Sequence, residues 1–189
     1  MAENKLEIPT GRNLYFNKQV DQESIGKLTE RIIEINEEDD RLTKVYAIDY
    51  VKYKRKPIKI YIDSYGGMVY QCFGLLSIMN TSKTPIYTIV TGCAMSCGFM
   101  ILINGHKRFG YELSTPLYHQ ISNGFWGKAK DMEEEFYETK RLQKLLEKIT
   151  LEKTKISKKQ LKKIYTHKID WTMNSKQALR LGVIDEIIK

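Results

Sequence analysis

Ser96 lies in a segment whose composition suits a nucleophile. Residues 85–90 (PIYTIV) are apolar and β-branched, which predicts a buried strand, and residues 99–103 (FMILI) are apolar enough to open a buried helix. The glycines at 92 and 98 favour a sharp strand-to-helix turn between them. A serine on such a turn lies beside a helix N-terminus, where free N–H groups favour negative charge. The segment therefore predicts either a nucleophile beside an oxyanion hole or a serine that merely caps a core helix.

A second turn that could take part in catalysis follows the strand predicted at 58–63 (IKIYID). Its double glycine, Gly66 and Gly67, allows a backbone N–H to face a substrate carbonyl with no Cβ in the way. In a parallel sheet this turn and the Ser96 turn would emerge at the same carboxyl edge, where active sites collect. An ordinary tight turn is the alternative, and the glycine patterns of phosphate-binding loops do not occur around it.

His119 and Asp170 are the candidate partners of a nucleophile. Histidine titrates near neutral pH, and serine needs an adjacent base because its hydroxyl alone is a poor nucleophile. His119 also fits a core histidine with satisfied hydrogen bonds, and Asp170 also fits a simple turn before a tryptophan. Asp63 and Asp185 are alternative carboxylates, and both lie nearer to predicted strand ends.

Composition narrows the class of protein. The chain has 189 residues, 42% of them hydrophobic and 29% charged, which suits one domain over 12–189 after a loose arm at 1–11. Its net charge of +8 is concentrated in lysines between 153 and 163, which predict a solvated helix face and no nucleic-acid partner. Neither a membrane span nor a signal-peptide core is apparent. The three cysteines, without disulfide or metal-ligand spacing, favour the reducing cytoplasm and no metal.

Alternating strand and helix patterns predict a layered α/β domain. The first helix follows a cap at 21–24 and closes in solvent at 37–41, and an extended segment at 45–51 comes next. The longest helical pattern runs from Lys130 to about Lys153. Its apolar stripe contains Met132, Phe136, Leu142, Leu145, Leu146 and Ile149. Near the C-terminus, Ser175 is the expected cap of a short helix, and residues 183–188 are predicted as the last strand.

Four segments together resemble one known family. Residues 62–67 (IDSYGG), 92–98 (GCAMSCG) and 118–120 (YHQ), followed by a closing segment at 170–185, are similar to the signatures of ClpP, the proteolytic subunit of the Clp protease. They occur in order, and the resemblance covers residues 12–189. It implies the fold shared with crotonases, an α/β spiral of strand–strand–helix units, here with a protruding handle helix. No cofactor is implied.

The resemblance also implies roles for individual residues. Ser96 is the expected nucleophile, His119 the general base and Asp170 the acid that orients the histidine, completing a Ser-His-Asp triad. The backbone N–H groups of Gly67 and Cys97 are the expected oxyanion hole.

Assembly and substrate binding follow from the same resemblance. The region 123–153 corresponds to the handle that interlocks two heptameric rings in the family. Its glycine-rich start is expected to hold an extended peptide by strand addition, through Asn123, Gly124 and Phe125. Phe125 and Trp126 fit equally a substrate pocket or a subunit contact. A Clp-type ATPase is the implied partner, although the arm before Arg12 is shorter than in typical members and this chain has no nucleotide motif.

The chain departs from the family pattern at four places. Tyr65 replaces the usual proline before the double glycine, and Ile121 replaces the usual proline after His-Gln. Cys97 replaces the methionine that usually follows the nucleophile. Residues 46–56 are interpreted as an insertion before the strand at 58.

The resulting hypothesis is a serine endopeptidase that cleaves unfolded proteins or peptides inside an oligomeric ring. Three alternatives remain open at this point: a catalytically silent ring subunit, a viral capsid-processing peptidase, and a crotonase-type acyl-CoA enzyme. The complete Ser-His-Asp set argues against the first and the last, since acyl-CoA enzymes of that fold rely on carboxylates.

Overall fold

The computed structural model describes residues 11–48 and 50–189, so nearly all of the predicted arm at 1–11 lies outside the described residues. The strands over the described part are β1 (Asn13–Phe16), β2 (Ile58–Ser64), β3 (Ile86–Met95), β4 (Lys107–Tyr111), β5 (Thr115–Tyr118), β6 (Trp171–Thr172) and β7 (Glu186–Ile188). The helices are α1 (Gln22–Ile48), α2 (Val69–Thr81), α3 (Cys97–Ile103), α4 (Ala129–Lys153), α5 (Lys158–His167) and α6 (Ser175–Arg180).

The sheet is mostly parallel. Its main path runs β1-β2-β3-β4-β7, and each neighbouring pair on this path is parallel. β5 pairs in parallel with the end of β3, beyond the part that β4 covers, and β6 pairs antiparallel with β5. Parallel neighbours need crossover connections, and α1, α2 and α3 provide them between β1, β2, β3 and β4. The predicted α/β class is confirmed.

The core forms because strands β2 and β3 carry apolar residues at the positions that face inward. In β2, Ile58, Ile60 and Ile62 are fully buried, and the residues between them are more exposed. Helix α3 is buried along its whole length, as expected for the uncharged run after Ser96. This buried strand-and-helix unit fixes the ends of β2 and β3, from which the two candidate turns emerge.

Helix α1 is longer than the sequence predicts. The prediction that it closes in solvent at 37–41 is wrong, because Asp39 is fully buried and the helix continues to Ile48. The extended segment predicted at 45–51 is wrong for the same reason, since its first half belongs to α1. Position 49 lies outside the described residues.

Asp39 is buried because four donor groups satisfy its carboxylate. Arg12 donates to both carboxylate oxygens, at 3.0 and 2.5 Å, and Thr84 and Tyr53 donate at 2.6 and 2.7 Å. Burial by itself raises the pKa of Asp39, but the hydrogen bonds from Arg12, Thr84 and Tyr53 outweigh it and hold the pKa below its ordinary value. The carboxylate therefore ties the start of β1 to α1 and to the loop before β3.

Helix α4 has two unlike halves. In the second half Leu142, Gln143, Leu146 and Thr150 are buried, and the helix contacts α3 there. In the first half Met132 and Phe136, predicted as part of one continuous apolar stripe, are exposed at 47% and 50%. Of the predicted stripe, only Leu142 and Leu146 in the second half are buried in this protomer.

The C-terminal segment differs from prediction in detail. Asn174 caps α6, because its side chain accepts from the Gln177 N–H at 2.8 Å, so the prediction that Ser175 is the cap is wrong. The last strand is shorter than residues 183–188 and spans Glu186–Ile188. Val183 and Ile184 are instead buried in the core beside α6.

None of the helices in the described part of the chain combines the length and the hydrophobicity that a bilayer crossing requires.

Candidate active site

Ser96 lies at the junction of β3 and α3 in a backbone conformation that serine rarely adopts. Its φ is 54° and its ψ is −120°, and it is one of three non-glycine residues with positive φ in the described part of the chain. Its side chain makes no hydrogen bond to the helix N-terminus, so the alternative that it merely caps α3 is wrong. Such strained residues concentrate at active sites, and this turn has the form of a nucleophile elbow.

The glycines that flank this turn serve a different purpose from the predicted one. Neither Gly92 nor Gly98 has a positive φ, so the sharp backbone turn is made by Ser96 itself. Gly92 instead leaves room for the Asp63 carboxylate, whose oxygen would lie 2.5 Å from a Cβ at this position. Gly98 leaves room for the Ser64 carbonyl in the same way, at 2.9 Å. Both glycines therefore allow the ends of β2 and β3 to approach each other.

The double glycine after β2 contacts the serine turn directly. β2 and β3 are parallel, so both turns emerge at the same edge of the sheet, as predicted. Gly66 and Gly67 have φ values of 96° and 148°, which favour glycine. A Cβ at Gly66 would lie 2.6 Å from the Met95 carbonyl and 2.7 Å from the Ser96 Cβ, and one at Gly67 would collide with the Val20 carbonyl.

Two buried thiols connect this turn to the helix behind it. The Cys97 thiol donates to the Gly67 carbonyl at 3.3 Å, and the Cys72 thiol donates to the Cys97 carbonyl at 3.6 Å. Hydrogen bonding with Cys97 and burial raise the pKa of Cys72 well above its ordinary value, so this thiol stays protonated. As the first residue of α3, Cys97 also presents one of the N–H groups that lack an acceptor within a helix.

Ser96 and His119 line one narrow cleft. The cleft has a volume of about 60 Å³ and also contains both predicted oxyanion-hole residues, Gly67 and Cys97. The rest of its wall comes from α2, α3, α4 and the segment after β5, through Val69, Met100, Tyr118, Gln120, Ile121, Ser122 and Leu146. The structure therefore brings together four of the five residues to which the sequence assigns a direct part in the chemistry.

Asp170 lies at the margin of this arrangement. Its Oδ1 is 4.0 Å from His119 Nδ1, which is longer than a hydrogen bond, and its side chain is 77% exposed. The two alternative carboxylates are engaged elsewhere. Asp63 accepts from the Cys93 N–H at 2.9 Å, and Asp185 pairs with the Arg108 guanidinium at 2.5 Å. Asp170 is thus the carboxylate of these three that faces His119.

The predicted peptide-binding residues lie outside the cleft wall in this protomer. Asn123 and Gly124 are exposed, and Phe125 is half-buried. The Asn123 amide donates to the Thr139 hydroxyl at 3.4 Å, and Gly124 has open space where a side chain would be. Trp126 is fully exposed.

Sequence reasoning missed a buried polar residue beside the site, Gln143. Its side chain contacts both Tyr118 and Ile121, which flank His119 in the chain. Burial raises the pKa of Tyr118, so its hydroxyl is neutral. The available signal was the position of Gln143 next to Leu142 and three residues before Leu146, inside the buried part of the α4 stripe.

Within residues 11–48 and 50–189, no three side chains of histidine, cysteine, aspartate or glutamate form a group that could hold a metal ion.

Comparison with known proteins identifies similar sequences. A sequence model described as Clp protease matches residues 16–189. The ATP-dependent Clp protease proteolytic subunit 2 of Treponema pallidum is 26% identical over 192 aligned positions, covering 99% of this chain and 92% of that protein. The protein of the same name from Treponema denticola is 34% identical over 71% of this chain and 67% of its own. The ATP-dependent Clp protease proteolytic subunit of Deinococcus radiodurans is 33% identical over 69% of this chain and 64% of its own.

Proposed function

The chain belongs to the Clp protease family, and from this premise we propose that it is a serine endopeptidase with Ser96 as nucleophile and His119 as general base. The observation that carries the proposal is the strained conformation of Ser96 in a cleft that it shares with His119. A serine hydroxyl is a weak nucleophile at neutral pH and needs a nearby base, which a shared cleft can supply. The printed names of the relatives, all proteolytic subunits, support the same reaction class.

The proposed reaction proceeds through an acyl-enzyme. Ser96 Oγ attacks the scissile carbonyl carbon as His119 takes the hydroxyl proton, and the carbonyl oxygen becomes an oxyanion. The N–H groups of Gly67 and Cys97 donate to that oxyanion. His119 then returns the proton to the leaving amine, and the amide bond breaks. Water, deprotonated by His119, hydrolyses the ester and regenerates Ser96. Asp170 orients His119 and stabilises its charged form.

The size of the cleft favours an extended polypeptide as substrate. Pockets that enclose a compact ligand usually have a volume of roughly 300–1,000 Å³. The cleft beside Ser96 has about 60 Å³, which admits little more than the reacting carbonyl. We propose that a substrate chain lies across its mouth and contacts Asn123 and Gly124, which are exposed, and Phe125, which is half-buried. Unfolded proteins and short peptides present such a chain, and folded proteins do not.

We also propose that the peptidase works as an oligomeric ring or stacked double ring. The first half of α4 exposes Met132, Phe136 and Tyr137, an apolar surface that stays open to solvent in this protomer. Burying it between subunits is favourable, at roughly 25 cal/mol per Å². The relatives are named ATP-dependent, so a separate ATPase that delivers unfolded substrate is part of the proposal.

Labelling with a fluorophosphonate, followed by peptide mass spectrometry, tests the proposal. An activated serine displaces fluoride from phosphorus, so we expect a covalent adduct on Ser96. The adduct is expected to disappear in Ser96→Ala and His119→Ala. Ser122→Ala is the matched control, because Ser122 lines the same cleft and has no proposed role in proton transfer. An adduct on Ser122, or none on Ser96 in folded and assembled protein, would contradict the proposal.

A catalytically silent ring subunit is the second candidate, and one observation favours it. The 4.0 Å separation of His119 and Asp170, with Asp170 exposed to water, leaves the base without a firm hydrogen bond to this carboxylate. The same labelling separates the candidates. A silent subunit assembles into a ring and leaves Ser96 unmodified, whereas an active one is labelled and cleaves a fluorogenic peptide.

A further inference from the structure

Gln143 is a buried polar residue on α4 whose side chain reaches the segment that carries His119. Only 6% of the residue is exposed. Its Oε1 accepts from the Ile121 N–H at 2.9 Å, and its Nε2 lies 3.5 Å from the Tyr118 hydroxyl. Tyr118 and Ile121 are the residues one before and two after His119. One buried side chain in the second half of α4 therefore contacts the histidine segment on both sides of the histidine.

The orientation of the Gln143 amide follows from the chemistry of its neighbours. Its Nε2 donates to Glu147 Oε1 at 2.9 Å, one turn further along α4. A carboxylate only accepts hydrogen bonds and a backbone N–H only donates them. The amide nitrogen must therefore face Glu147, and the amide oxygen must face Ile121.

The bond to Ile121 depends on a departure from the family pattern. Proline, usual at this position, has a fixed φ and no N–H to donate. Isoleucine at 121 lacks the fixed φ and carries an N–H that needs an acceptor. Residues 119–126 belong to no helix or strand, so the sheet does not restrain them. Gln143 supplies both the acceptor and the restraint.

We propose that Gln143 is a positioning residue for His119, replacing by a hydrogen bond from α4 the restraint that a proline at 121 would provide. The inference rests on the proposed function, since it concerns the placement of the general base. Gln143 does not touch the reacting atoms. It acts on catalysis by limiting the movement of the segment that carries the histidine, and misplacement of a catalytic group by about 1 Å costs roughly a hundredfold in rate.

The test is a double-mutant cycle on the assembled full-length protein, with a fluorogenic peptide as substrate. Gln143→Met keeps the length and burial of the side chain but removes the acceptor, and we expect kcat to fall about tenfold to a hundredfold with little change in KM. Ile121→Pro in the Gln143→Met background is expected to restore most of the loss, because proline leaves no unsatisfied N–H and fixes its own φ. The cycle compares the effect of Gln143→Met in the two backgrounds, and we expect it to be much smaller in Ile121→Pro than in the parent, because Ile121→Pro has already removed the N–H that Gln143 accepts from.

Thr150→Val is the matched control. Thr150 is another buried polar residue of α4, but its hydroxyl donates to the Leu146 carbonyl of its own helix. Thr150→Val and Gln143→Met are both expected to lower the melting temperature by a few degrees, but Thr150→Val is expected to leave kcat unchanged. A role of Gln143 in stability alone would lower both melting temperatures and spare both rates.

Hydrogen exchange at the Ile121 amide gives a readout that does not need activity. The amide is expected to be protected in the parent and to exchange faster in Gln143→Met. An unprotected Ile121 amide, an unchanged kcat in Gln143→Met, or a loss that Ile121→Pro does not relieve would each overturn the positioning role. A parent protein that neither labels with fluorophosphonate nor cleaves peptide overturns the proposed function, and the catalytic role of Gln143 with it.

Discussion

The two sides of the cleft are built differently. The Ser96 side consists of the ends of two central parallel strands, packed so closely that glycine is required at 66 and 67. The His119 side is the start of a segment without regular structure, with Asp170 beyond hydrogen-bonding distance. The proposed nucleophile is thus fixed by the fold of a single protomer. The segment that carries the proposed base is held by side-chain contacts from Gln143, so its geometry is the more easily changed of the two.

The largest effect that would test this contrast is expected from Asp170→Asn. In the proposed mechanism the carboxylate orients and stabilises the charged histidine, so its loss is expected to lower kcat by roughly 10²–10⁴-fold. Steady-state cleavage of a fluorogenic peptide measures it. A loss of only a few-fold would mean that Asp170 is not the orienting acid.

Asp63→Asn is the control for that experiment. Asp63 lies beneath the serine turn and accepts from the Cys93 N–H, and an asparagine oxygen can accept the same bond. Its kcat is expected to stay within a few-fold of the parent. A larger loss in Asp63→Asn than in Asp170→Asn would place the essential carboxylate on the Ser96 side and reverse the comparison.

Because the Ser96 side is closely packed, Gly66→Ala is expected to lower the free energy of unfolding strongly. The added methyl group meets the Met95 carbonyl and the Ser96 Cβ, and the backbone has a φ of 96° that alanine disfavours. We expect the free energy of unfolding to fall by about 2–5 kcal/mol. Urea denaturation measures it.

Gly74→Ala is the matched substitution. Gly74 lies on the exposed face of α2, and an added Cβ would meet nothing within 4 Å, so alanine there is expected to stabilise by about 0.5–1 kcal/mol. Equal effects at the two glycines would contradict the close packing of the two turns.

The smallest predicted effect concerns backbone strain at the proposed nucleophile. Because Ser96 has a φ of 54°, Ser96→Gly is expected to be more stable than Ser96→Ala by about 1–2 kcal/mol. At Ser77, an exposed serine within helix α2, the order should reverse, with glycine about 1 kcal/mol less stable than alanine. Thermal unfolding of the four variants measures both differences. If the order at Ser96 matched that at Ser77, no strain would be stored in the turn.

Sequence patterns predict the elements that contain regular or continuous runs of apolar residues. The strands β2 and β3 and the buried α3 follow from runs of apolar residues, and their parallel pairing follows from the helix between them. The predicted end of α1 is wrong because a run of charged residues normally faces solvent. Asp39 is instead neutralised by Arg12, which lies 27 residues earlier in the chain. No local pattern reveals such a partner.

Local sequence patterns also predict only part of the candidate site. The proximity of Gly67, Ser96 and His119 follows from motifs at strand ends. The strain at Ser96 is not predictable, because it results from the close approach of Gly66 and from the Leu117 carbonyl, which accepts the Ser96 N–H at 3.0 Å. The role of Gln143 is not predictable either, since a glutamine in an amphipathic helix normally faces water, and only its register against the histidine segment makes it a partner.

The parallel pairing of the main sheet also has a kinetic consequence. Asn13 pairs with Lys59 across the whole of α1, and Phe109 pairs with Glu186 across most of the C-terminal half of the chain. Tight hairpins join only antiparallel strands, so long loops must close before the strands of the main path gain their hydrogen bonds. Such topologies fold slowly and leave strand edges open to other chains meanwhile. For the proposed ring, this order matters: each copy must complete its sheet before assembly, because an open strand edge can pair with the edge of a neighbouring copy.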